Sequence, residues 1–107
     1  MMPLSRDFRQ TVLARVQSEP SFAKALLDEA ATLLLNGEPQ TARLVLRDLV
    51  NATVGFEKLA QLTHKPAKSL HRMLSQYGNP GMDNLAAIFS AIRRKLRVGI
   101  KVRSVAA

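Results

Sequence analysis

The spacing of apolar positions predicts a chain that is helical over most of its length. Phe8, Val12 and Val16 recur every four residues, so a first helix is expected over 5–17 with Ser5 as its cap. Ser18-Glu19-Pro20 starts a second, because proline in a first turn removes no internal hydrogen bond. It carries Phe22, Leu26, Leu27, Ala30, Leu33, Leu34 and Leu35. Asn36-Gly37 ends it with residues suited to left-handed backbone, and Glu38-Pro39 opens a third helix lined by Leu44, Val45, Leu49 and Ala52. Thr53 is a good cap for a short fourth helix to Leu62, and Lys65-Pro66 marks the start of a fifth running to Gln76. The segment YGNPGMDN is the clearest loop, with Asp83 placed to cap a sixth helix that buries Leu85, Ile88, Phe89, Ile92 and Leu96.

From residue 97 the period changes to strict alternation. Val98, Ile100 and Val102 fall on one face and Arg97, Gly99, Lys101 and Arg103 on the other, which predicts a β-strand over 97–105. Every other segment reads as helix or loop, so that strand has no partner within the chain. A second copy paired about a two-fold axis would supply one, making Val98, Ile100 and Val102 a dimerisation contact.

A length of 107 residues with 47% hydrophobic content suits one domain with a real core. No apolar run is long enough to span a membrane, and the opening MMPLSRDFRQ lacks the order of a signal peptide, so a cytoplasmic protein is expected. The absence of cysteine excludes disulfides, thiolate catalysis and cysteine-ligated zinc. The net charge of +8 is unevenly placed: residues 1–57 carry six Lys/Arg against seven Asp/Glu, whereas 58–107 carry ten against one. A basic half suits a dense array of phosphates, whose neutralisation releases counterions. The same charge also suits RNA, anionic lipid or solubility alone.

On a helical wheel at about 100° per residue, the segment 65–77 sorts into two faces. Ala67, Leu70, Met73, Leu74 and Tyr77 form an apolar arc; Lys65, Lys68, Ser69, Arg72 and Gln76 lie opposite, and His71 and Ser75 flank them. The polar face holds groups that read DNA: Arg grips guanine, Gln pairs with adenine, and Lys and Ser reach bases or phosphates. No acid occurs between Lys58 and Gly81, whereas a solvated face usually mixes Glu with Lys. The DNA-contacting set is therefore Lys65, Lys68, Ser69, His71, Arg72, Ser75 and Gln76.

The stretch FEKLAQLTHKPAKSLHRMLSQYGNPGMDNLAAIFSAI resembles the helix-turn-helix of the Cro/repressor-like superfamily, in the branch of addiction-module antidote proteins. Its most specific run is KSLHRMLS followed by GNP and NLAAIF, and the segments SRDFRQTVLARVQSEPSFAKALLDEAATLLLNGE and TARLVLRDLVNAT resemble that branch's N-terminal extension. With the strand read above, the resemblance implies an all-α fold: a lambda-repressor-like helix-turn-helix bundle at 38–96, a two-helix extension at 5–37 and a short C-terminal β-strand at 97–105. It implies a homodimer that binds double-stranded DNA without a cofactor. It further implies the antitoxin of a type II toxin–antitoxin pair, which represses its own operon and neutralises a small ribonuclease of the RelE-like class. A stand-alone or phage-type repressor with no toxin is the alternative; helices in 5–36 either meet a toxin or merely complete the core. Leu59 and Leu70 would meet where the paired helices cross, with small Ala60 at the close approach. One departure stands out. His64 occupies the turn where the superfamily usually has Gly, so positive φ there carries a steric cost of about 1 kcal/mol. Thr63 is also less apolar than usual before that turn.

Spacing argues against catalysis. Ser69 and His71 are two residues apart, hence about 200° apart around a helix, and cannot share a hydrogen bond. His64 and His71 lie seven residues apart with no nearby carboxylate before Asp83, a poor start for a metal site.

Overall fold

The computed structural model describes residues 10–11, 14–15 and 19–107. Five helices follow one another from residue 20: α1 Pro20–Leu35, α2 Pro39–Ala52, α3 Phe56–Thr63, α4 Ala67–Met73 and α5 Met82–Leu96. Gln10, Thr11, Ala14 and Arg15 are also helical, whereas the expected stripe of Phe8, Val12 and Val16 lies outside the described residues. Arg15 reaches forward to α1, with Nη2 3.3 Å from Glu19 Oε2 and its guanidinium 4.2 Å from the Phe22 ring centre.

The first two boundaries fall where the breakers put them. Pro20 occupies the first turn of α1, and the helix closes through the Glu38 N–H donating to Leu33 O at 2.9 Å while Gly37 takes φ 85°. A glycine adopts that left-handed conformation without a Cβ clash. Thr53 does not cap α3. Its hydroxyl donates back to Leu49 O at 2.7 Å, so it finishes α2, and Gly55 at φ 77° opens α3. Gly81, not Asp83, precedes α5; Asp83 sits in its first turn, where a negative charge complements the helix dipole.

The helices pack α1 on α2 and α5, α3 on α4 and α5, and α2 on α3. They enclose one apolar cluster whose fully buried members include Leu27, Leu46, Leu49, Val50, Leu59, Leu70, Leu74, Ile88 and Ile92. Leu59 and Leu70 join it from α3 and α4, and Ala60 packs against it. Sequence spacing missed Leu46 and Val50, and it counted Leu35 and Tyr77 as apolar-face residues although both are exposed.

No strand occurs among the described residues, so the single chain does not show the strand expected over 97–105. The alternation survives without a ladder: Val98 and Ile100 are half-buried against the helical core, while Gly99 and Lys101 are exposed. Val102 departs from the expected set and is 65% exposed. The turn that aims this tail is built at Arg97, which takes φ 57° and lets the Val98 N–H donate to Arg93 O at 3.1 Å.

Candidate nucleic-acid interface

Seven residues make α4 too short to be stable alone. Tertiary contacts hold it. Leu70 and Leu74 are fully buried, and burying a leucine contributes about 1.5–3 kcal/mol. Those two anchors turn the opposite side outward, where Lys68 and Arg72 are both exposed one helical turn apart. Ser69 is half-buried at the edge of that face. None of Lys65, Lys68 and Arg72 forms an ion pair with a described residue.

A three-residue turn, His64 to Pro66, joins α3 to α4. His64 takes φ 57° and ψ 37°, the left-handed conformation expected at this position, and its N–H donates to Ala60 O. The next N–H, of Lys65, donates to the same carbonyl at 3.2 Å, and the Thr63 hydroxyl donates to Leu59 O at 2.7 Å. The polar Thr63 is thereby satisfied inside its own helix. Pro66 then fixes extended backbone, φ −62° and ψ 140°, from which α4 begins.

The expected helix over 65–76 is shortened at both ends. Lys65 lies in the turn, half-buried, and precedes the helix. Ser75 and Gln76 follow it. The Ser75 hydroxyl donates to Arg72 O at 2.7 Å, which ties it to backbone rather than presenting it. Gly78 explains the early end. A Cβ there would lie 2.6 Å from Arg72 O and still closer to Met73 O, so only glycine lets the chain pass this close to the last turn.

His71 is exposed, as a flank residue would be, and it also makes a contact within the fold. Its ring stacks on Phe56, with centroids 3.7 Å apart and planes 17° apart. Phe56 is the first residue of α3 and is buried, so the stack fastens α4 to the start of the neighbouring helix. The seven sequence-identified residues thus divide. Lys68 and Arg72 share an exposed face with Ser69 at its margin; Lys65 and Gln76 flank it from turn and loop; His71 is exposed but also stacks on Phe56, and the Ser75 hydroxyl is spent on backbone.

Arg43 is a positioning residue that sequence reasoning missed. From α2 it donates through Nε to Ser75 O at 3.2 Å and through Nη2 to Gln76 O at 3.0 Å. An arginine set among apolar positions of α2 was the only local signal, and it names no partner.

Comparison with protein-family models, with curated proteins and with solved structures returned no match for this chain.

Proposed function

We propose that the chain is a sequence-specific, double-stranded DNA-binding regulator rather than an enzyme. One observation carries this reading: a short helix anchored by Leu70 and Leu74 turns an acid-free face, centred on Lys68 and Arg72, to solvent. Preceding it is a second short helix and a left-handed turn at His64, a spacing that suits insertion of one helix into the major groove while its neighbour crosses the backbone. Arg72, with a planar fork of donors, is the base-reading group; Lys68 and Lys65 serve phosphate or base edges. Two copies on a palindromic site would place the reading helices about 34 Å apart.

The antitoxin role, with autorepression of a shared operon in the cytoplasm and a RelE-like ribonuclease as partner, rests on the sequence resemblance alone. A short reading frame immediately upstream, encoding about a hundred residues, supports it; its absence favours a stand-alone or phage-type repressor. The DNA reading is tested with purified protein and its own upstream DNA at two salt concentrations. A specific site with a steep salt slope supports it, because each neutralised phosphate releases counterions. Equal affinity for unrelated duplexes at both salt concentrations overturns it.

A further inference from the structure

We propose that the groove between α3 and α5 binds a small amphipathic anion: a carboxylate or sulfonate carried on an apolar body. The groove encloses about 480 Å³, within the range of small-ligand sites. Its floor is apolar, formed by Val54, Leu62, Ala87 and Ala91. Leu62 is 47% exposed, and an apolar occupant would remove part of that surface from water. The rim is cationic. Lys58 rises from α3 and Arg94 and Lys95 from α5, no acid among the described residues lines the groove, and none of the three forms an ion pair with a described residue.

Charge and shape together select the occupant. The chain's own tail is a poor fit, because residues 97–107 carry Arg97, Lys101 and Arg103 with no acid. That tail is also engaged elsewhere, with Gly99 and Ile100 beside Phe89 and Arg93. A bare phosphate would use the rim and leave the apolar floor wet. An apolar body with one anionic end satisfies both, its head held by the arginine fork and the lysines and its body excluding water from Leu62 and Ala87. Such an occupant would touch Val54, just before α3, and Lys58 and Leu62 within it, and so bear on the helix against which α4 packs. That consequence rests on the DNA reading, whereas binding itself does not, and it is therefore measured without DNA.

The probes are anilinonaphthalenesulfonate and its uncharged counterpart phenylnaphthylamine, titrated by fluorescence into the full chain. Saturable binding of the sulfonate at one site per chain is expected. Substituting Arg94→Ala together with Lys95→Ala should weaken the sulfonate about ten-fold and change the uncharged probe less than about two-fold. Ala87→Phe, which fills the groove, should weaken both probes by about ten-fold or more. Circular dichroism checks that this variant folds; the Arg94 and Lys95 pair is exposed and keeps the test decisive if it does not. Absence of saturable binding, equal affinity of the two probes in all variants, or insensitivity of a folded Ala87→Phe protein overturns the proposal.

Discussion

Arg43 and Ser75 are separated by 32 residues in sequence, yet the Arg43 Nε donates to the Ser75 carbonyl at 3.2 Å. Its Nη2 takes the next carbonyl, that of Gln76, so one guanidinium satisfies two acceptors just beyond the end of α4. Bonds from a charged guanidinium to carbonyls are stronger than neutral ones. Arg43→Ala is expected to lower stability by about 1–2 kcal/mol, less than the value for a fully buried charged bond because one of the two is exposed. Arg43→Lys should recover only part, since an ammonium lacks the planar fork. Denaturant unfolding measures both, and an Arg43→Ala protein as stable as the parent would show that the clamp contributes nothing.

The left-handed turn at His64 makes an opposed pair of substitutions informative. His64→Gly relieves the steric cost of φ 57° but enlarges the unfolded ensemble, so stability should stay within about 1 kcal/mol of the parent. His64→Val should cost more, because a β-branched side chain tolerates positive φ poorly. Thermal melts in which Val and Gly are tolerated equally would contradict the turn conformation.

Arg72 and Lys65 should fail in different ways if the DNA reading is right. Arg72→Ala is expected to weaken specific binding by about 1–3 kcal/mol and relax base preference at one position. Lys65→Ala, at a half-buried turn position, should weaken all sequences alike and make the salt slope shallower by about one. Both are read from binding isotherms across salt and operator variants. Unchanged affinity in both folded variants would mean that this face does not meet DNA.

Two truncations separate the core contacts of the tail from any role in dimerisation. Removing residues 101–107 leaves Val98 and Ile100 on the helical core, so stability should change by less than about 0.5 kcal/mol. Removing 97–107 strips both and should cost about 1–3 kcal/mol. If exposed Val102 and Val105 pair two copies, the shorter truncation alone converts a dimer to a monomer in analytical ultracentrifugation. A truncated chain that stays dimeric excludes them from the contact.

Helix placement was legible in the sequence because its causes are local. Pro20, Gly37 and Pro39 act through their own backbone, and the period of Leu70, Met73 and Leu74 gives the direction of the buried face whatever lies across from it. The outward pairing of Lys68 with Arg72, and the acid-free run around them, follow from the same angular arithmetic. What lies across a helix is not periodic, and there only the tertiary structure decided. α4 stops at Met73 because Gly78 packs on its last carbonyls and Arg43, from another helix, takes those of Ser75 and Gln76. His71 stacks on Phe56 because the fold brings that ring alongside, a contact that the spacing of α4 does not foretell. Alternation over 97–105 states which side of the tail is apolar, but a strand also needs a neighbour to exchange hydrogen bonds with. Val98 and Ile100 instead find their apolar surroundings on the chain's own helices.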